Sequence, residues 1–450
     1  HEWFIKSENK EPGYEDYYVW HQGKIVDGKR VPPNNWVSVF RYSAWEWSEK
    51  RQEYYLHQFL KEQPDLNYRS AKVVQEMKDT LTYWMDRGVD GFRVDAIIYM
   101  FVDDDLRDEP PTHAPGCTPD DACYLQHVYT IDQPETFDMV FQWRELLEEY
   151  TKTKGGEPKV LLMEAYTNLQ NILKLYGTPE RPGAQVPFNF VLLSNTNINS
   201  TGREFHDLAQ QWLDAMPEGN VANWVLGNHD NKRMSTRLGE GRHDMLMIFL
   251  QTMPGIAVNY YGEEILMVDT FIPWEKTLDP AACQTSKDTF TDFTRDPVRT
   301  PMQWDDTKFA GFSNANSTWL PVAVDYRQNN VKNQLAAPRS HLKMFMKLLR
   351  LRKSEAVLQD GTYDSAVLND DVVVYRRMIK DVKAYYVLLN FGKSKYTVDV
   401  QKVFPEAPKE LLVTVSSLNS KLSEDRLVDA TKVPLQREAG VVLEANFAAA

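Results

Sequence analysis

The chain has 450 residues, 42% apolar and 26% charged, with a formal net charge of −13. This is the composition of a globular protein too long for one core, so two or three packed units are expected. An acidic surface with no basic stripe excludes nucleic acid as a partner, and no apolar run approaches the roughly 20 residues that cross a bilayer.

Residues 1 to about 67 show no long periodic segment but are dense in Trp, Tyr, Pro and Asn, as in Pro32-Pro33-Asn34-Asn35-Trp36 and Trp45-Glu46-Trp47. They read as an irregular excursion held by aromatic packing. From Ser70 onward Val73, Val74, Met77, Leu81, Trp84 and Met85 recur at helical spacing until Gly88 stops the helix. The short run Gly91 to Val94 then ends in Asp95. Cys117 and Cys123 lie in a Pro/Asp-rich loop without a His or third Cys at ligand spacing, which suits a disulfide clip better than a metal site. Cys283 is left outside that bridge.

The same unit recurs downstream. A helix containing Phe141, Leu146 and Leu147 leads to the apolar strand Val160 to Met163, which ends in Glu164. Asn199 and Asn316 open Asn-x-Thr sequons, candidate glycosylation sites in a secreted protein. Asn223 to Gly227 ends in Asn228-His229-Asp230, and a helix around Met245 to Leu250 precedes Gly255 to Tyr261. A last amphipathic helix carries Leu342, Phe345, Met346 and Leu349. After about residue 354 the period switches to two, in Val372 to Tyr375, Tyr385 to Leu389, Tyr396 to Val398 and Val441 to Leu443, which predicts a small antiparallel β domain.

Strands alternating with helices argue for a parallel α/β sheet. Strands that each end in an acidic residue or His argue for a barrel, where chemistry gathers at the strands' C-terminal ends. Asp95, Glu164 and Asp230 are three such acids, and two carboxyl groups flanking a glycosidic bond are the usual apparatus of sugar hydrolysis. Any one of them could instead cap a following helix. Arg93, two residues before Asp95, shares its strand face and would either hold a nucleophile ionised or form a structural ion pair. His229 offers a donor toward a sugar hydroxyl, or fills a core position.

Gly91-Phe92-Arg93-Val94-Asp95-Ala96, Met163-Glu164-Ala165-Tyr166 and Gly227-Asn228-His229-Asp230-Asn231 resemble signature blocks of the α-amylase family, glycoside hydrolase family 13. Gln63-Pro64-Asp65-Leu66-Asn67 resembles the block that marks its oligo-1,6-glucosidase and α-glucosidase branch. The stretches Arg295 to Trp304 and Gly262-Glu263-Glu264 are similar to segments around the eighth strand, and the overall likeness is to insect maltases.

The resemblance implies a (β/α)8 TIM barrel with an inserted loop domain after strand three and a C-terminal antiparallel β-sandwich. It implies Asp95 as nucleophile, Glu164 as general acid/base and Asp230 as transition-state stabiliser. Arg93 and His229 would contact the same sugar, Arg299 (or Arg295) and Phe40 would close the pocket, and Ala96 after the nucleophile would favour α-1,4 linkages. The substrates implied are α-glucosides such as maltose and sucrose, with no cofactor and no metal ligand among these residues. The family's first block is absent here, so the chain reads as lacking the first three barrel strands and the loop that holds a structural calcium. Residues 1–75 would then be the latter part of the loop domain, 76–354 the barrel from strand four, and 355–450 the β domain.

A binding protein on the same scaffold is the rival reading, because transporter heavy chains share this fold and mosquito midgut relatives serve as receptors for a bacterial toxin. A transglycosylase is the rival within enzymes. An extracellular location follows from the cysteine pair and sequons, with a lipid anchor near Ala448-Ala449-Ala450, a toxin ligand and a homodimer as further partners.

Overall fold

The structure, a computed structural model, describes residues 1–447; the terminal alanines tied above to an anchor lie outside the described residues. The chain divides into two compact units. The first comprises His1–Phe188, Pro217–Asn220 and Asp279–Phe293, and the second comprises Asn189–Met216, Val221–Leu278 and the chain from Thr294.

In the first unit the helix expected after Ser70 is α1 (Ala71–Met85), with Val73 and Met85 buried. It stops where Gly88, at φ +90°, donates its N–H to the Met85 carbonyl, a conformation that favours glycine. Then follow β1 (Gly91–Val94), α2 (Pro134–Lys154), β2 (Val160–Met163) and β3 (Val186–Pro187). Proline in the first turn of α2 and Gly155 after its end are the usual start and stop residues of a helix. The three strands pair in parallel in the order β1-β2-β3. Leu161 and Met163 have no accessible surface, whereas Val160 is exposed and Leu162 half-buried, so one face of the strand is covered.

The excursion is less irregular than its sequence suggests. It holds a helix over Glu2–Glu8, a three-stranded antiparallel ladder of Trp20–His21, Glu53–Leu56 and Trp45–Ser48, and a hairpin turning at Asp27-Gly28. Strands of two to four residues are too short to leave a periodic trace. Aromatic packing does hold the segment. Trp36 and Trp45 stack at 6.0 Å and pack with Leu56 and Val102. Each indole N–H finds an oxygen, Trp45 on Asn34 Oδ1 (2.8 Å) and Trp36 on the Arg107 carbonyl (2.9 Å). Cys117 and Cys123 are disulfide-bonded, and Cys283 lies outside any disulfide.

In the second unit α3 (Gly202–Ala215) begins with a capping box, the Thr201 hydroxyl taking the Glu204 N–H and the Glu204 carboxylate taking the Thr201 N–H. The strands β4 (Asn223–Val225) and β5 (Ile256–Val258) pair in parallel and are joined through α4 (His243–Thr252), which is buried on every side. The last periodic helix is α5 (His341–Ser354), capped by Ser340, and it packs on α4. Arg352 of α5 donates to the Gln251 carbonyl at 2.7 Å and to that of Gly255, closing the C-terminal end of α4.

The period-two region forms β6 (Thr362–Asn369), β7 (Val372–Ile379), β8 (Lys383–Asn390), β9 (Glu410–Ser416), β10 (Leu427–Asp429) and β11 (Gly440–Asn446). They make one antiparallel sheet in the order β6-β7-β8-β11-β9-β10. A second ladder, Tyr396–Val398 with Val433–Leu435, shares its core through Val398, Val433 and Leu435 against Val374, Tyr386 and Leu443. No helix among the described residues is long and apolar enough to cross a membrane.

Candidate active site

The sequence-predicted residues form two clusters, one in each unit. In the first unit β1 and β2 run in register, with Val94 opposite Met163, so Asp95 and Glu164 leave adjacent parallel strands at the same height. The Glu164 N–H donates to the Val94 carbonyl (2.9 Å) and the Ile97 N–H to the Glu164 carbonyl (3.1 Å), carrying the ladder past the strand ends. Arg93 touches both acids. Its Nη1 pairs with Asp95 Oδ1, and its Nη2 lies 3.4 Å from Glu164 Oε2. One guanidinium spans both carboxyl groups, so both readings of Arg93 converge on an ion pair at the strand ends.

Glu164 is only 6% exposed, and its Oε2 accepts the Ala96 N–H at 2.8 Å. Burial pushes its carboxyl up to about 7, helped by the hydrogen-bonded Asp95 carboxyl and opposed by the Ala96 N–H and Arg93. Asp95 is different, with a side chain 70% exposed. Asp95 is therefore far more open to solvent than its neighbour Glu164. The reason is local: β1 has a hydrogen-bonded neighbour on the β2 side only among the described residues. Beside β1 lies a cavity of about 480 Å³ lined by Arg93, Asp95, Phe59, Tyr68, Tyr99 and Trp143 among others. Phe40 reaches this wall through Phe59, their rings 5.8 Å apart, and Phe59 in turn meets Tyr99 at 5.1 Å.

In the second unit Asp230 follows β4 in a turn built by Asn228, whose Oδ1 accepts the N–H groups of Asp230 and Asn231, each at 3.1 Å. Asp230 Oδ1 accepts from Arg295 Nη1 (2.9 Å) and Arg299 Nη2 (2.7 Å), and Oδ2 lies 3.3 Å from His229 Nε2. Arg299 Nε also donates to the His229 carbonyl at 2.7 Å. Arg299 and Arg295 therefore act on Asp230 together, where the sequence reading set them as alternatives. His229 is not a core residue, its side chain being 45% exposed.

Asn199 and Asn316 are both exposed. One group of metal-type ligands escaped the sequence reading: His243, Asp244 and His341 offer atoms within 4.8 Å of one another. Asp244 is already engaged, Oδ1 by His341 Nδ1 (2.5 Å) and Oδ2 by the Leu418 N–H (2.8 Å), so it serves as a hydrogen-bond hub. Its members come from helices 97 residues apart, beyond any spacing motif. Also missed were Tyr260 and Tyr261, whose only sequence signal was their place before Gly262-Glu263-Glu264.

The α-amylase catalytic-domain family matches residues 1–361 of this chain. A salivary alpha-glucosidase of Anopheles gambiae is 50% identical over 450 residues, covering 99% of this chain and 76% of that protein. Maltase A1 of Drosophila melanogaster is 48% identical over 453 residues, covering 99% of this chain and 78% of its own. A solved alpha-glucosyl transfer enzyme matches at a TM-score of 0.83 with 28% identity, over 99% of this chain and 80% of its own. The chain therefore belongs to the α-amylase family of glycoside hydrolases, glycoside hydrolase family 13, in its α-glucosidase and maltase branch.

Proposed function

We propose that this protein is a retaining, exo-acting α-glucosidase that removes terminal α-1,4-linked glucose from maltose, sucrose and short oligosaccharides. The observation that carries the reading is the Asp95–Glu164 pair, set at the ends of two adjacent parallel strands and bridged by one guanidinium. Retaining enzymes hold such groups about 5 Å apart, whereas inverting enzymes leave roughly 6.5–9.5 Å for a water. In the first step Asp95 attacks the anomeric carbon while the Glu164 proton passes to the leaving oxygen. Burial, by holding that proton at neutral pH, suits Glu164 to act as the acid. In the second step Glu164, now ionised, takes a proton from water, which opens the glucosyl ester and returns Asp95 as carboxylate.

Asp230, oriented by Arg295 and Arg299, binds the 2- and 3-hydroxyls of the sugar, with His229 beside it. Phe40 lines the pocket. The barrel occupies residues 76–354 and the β domain 355–450. Exposed sequons at Asn199 and Asn316 and the Cys117–Cys123 bridge support a glycosylated, extracellular protein.

Proton NMR of a p-nitrophenyl α-glucoside digest, in which every glucose comes from the cleaved bond, is expected to show α-glucose first, with β-glucose appearing only by mutarotation. Initial β-glucose would exclude double displacement, and isomeric disaccharides from sucrose would indicate transfer rather than hydrolysis. A second expectation concerns Ala96, which sits directly after the nucleophile at φ +46° and ψ +40°. Ala96→Val puts a β-branched side chain into left-handed backbone at the pocket wall. The maltose-to-isomaltose ratio of kcat/KM is expected to fall about tenfold or more, the scale of methyl-sized discrimination. An unchanged ratio would remove Ala96 from the specificity set.

A further inference from the structure

We propose that Tyr260 and Tyr261 form a clamp that positions Arg299, and through it Asp230, for binding the glucose unit. The proposal rests on the α-glucosidase reading and adds to it the element that aims its sugar-binding carboxylate.

The chain leaves β5 directly into Asn259-Tyr260-Tyr261-Gly262-Glu263. The two rings lie 4.6 Å apart, and their hydroxyls donate to two carbonyls that flank a single residue. Tyr261 reaches the Thr300 carbonyl at 2.6 Å and Tyr260 the Val298 carbonyl at 3.4 Å. That residue is Arg299, whose guanidinium binds Asp230 Oδ1 and the His229 carbonyl, each at 2.7 Å. Val298 and Thr300 are buried, so these carbonyls sit where an unmet acceptor is costly. Rings that only filled a core would have no reason to aim both hydroxyls at the two sides of one arginine.

The clamp is itself anchored. Arg233, three residues after Asp230 and 1% exposed, lies 5.2 Å from the Tyr260 ring and 4.9 Å from the Tyr261 ring, and donates Nη1 to the Tyr261 carbonyl at 2.7 Å. Its backbone N–H donates to Asp269 Oδ1 at 2.8 Å. The buried Glu263 carboxyl accepts the Tyr260 N–H at 3.0 Å. Glycine is required on both sides of this seat. A Cβ at Gly262 would lie 2.7 Å from Arg233 Nη1, and one at Gly227 would lie 2.2 Å from Glu263 Oε1. The turn that carries Asp230 and the segment that carries Arg299 are thus held on one rigid piece. A clamp of this kind acts through Arg299, so Tyr260 and Tyr261 are positioning residues.

The test is Tyr261→Phe, which keeps the ring and deletes one hydroxyl, measured alone and with Arg299→Ala. The readouts are the Kd for 1-deoxynojirimycin by calorimetry, KM and kcat on maltose, and the melting temperature. Tyr261→Phe is expected to weaken inhibitor binding and raise KM about tenfold with a smaller change in kcat, the scale of one lost hydrogen bond. With Arg299 already removed, the same change is expected to alter Kd less than about twofold, because coupled residues are non-additive. A merely structural hydroxyl would lower the melting temperature and leave Kd and KM unchanged, and that result would overturn the clamp. Equal weakening in both backgrounds would overturn it too. A wild-type protein that neither bound 1-deoxynojirimycin nor cleaved maltose would instead remove the α-glucosidase reading beneath it.

Discussion

Asp95→Asn is expected to lower kcat on maltose by at least about 10⁴-fold, the scale seen when one member of a catalytic unit is removed. An amide cannot form the glucosyl ester. The fold is expected to survive. The Asp95 side chain is 70% exposed, so the substitution strands no buried charge, and Arg93 keeps Glu164 as a partner. A melting temperature within a few degrees of wild type would accompany the lost turnover. Near-normal activity would overturn the assignment of the nucleophile, and gross unfolding would mean that Asp95 holds the strand ends together.

Glu164→Gln is expected to cost about 10²- to 10⁴-fold in kcat/KM on maltose, the usual share of general acid catalysis. The loss should shrink on α-glucosyl fluoride, whose leaving group needs no proton in the first step. The pH dependence follows from the sign of the shift. A general acid works protonated, and burial raises this one to about 7. Wild-type kcat/KM should therefore hold below that pH and decline as it rises through about 7, when Glu164 ionises. The decline should be absent in Glu164→Gln. A wild-type profile flat to pH 9 would show that Glu164 does not supply the proton.

Both catalytic assignments rest on a stretch of fold that local chemistry makes plain. Gly91–Val94 and the apolar Val160–Met163 are short runs that each break at an acid, and the structure gives strands with those bounds. Their register, which brings Asp95 beside Glu164, needed the parallel pairing that only a strand-helix-strand unit provides. The apolar run Met245 to Leu250 of α4 was equally plain. The excursion was not, because its ladder strands of two to four residues carry no period and its order comes from aromatic contacts such as Trp36 on Trp45.

Within the second cluster, Asp230 and His229 stood out by their motif, whereas the joint grip of Arg295 and Arg299 on one oxygen did not. Two arginines that flank the single 3-10 turn Asp296–Val298 have no fixed direction until that turn is pinned. The pinning is done by Tyr260 and Tyr261, which the sequence marks only by their place before Gly262-Glu263-Glu264. The exposure of Asp95 was illegible for a related reason: burial depends on which strand lies on each side, not on the residue's own neighbours in sequence.

The central claim is a covalent glucosyl ester on Asp95. Incubation with 5-fluoro-α-D-glucosyl fluoride, proteolysis and mass spectrometry tests it directly. The account predicts one labelled peptide containing Gly91 to Ala96, with the sugar on Asp95 and stoichiometric inactivation. A label on any other residue, or turnover of a slow substrate with no label under conditions that trap retaining enzymes, would contradict it.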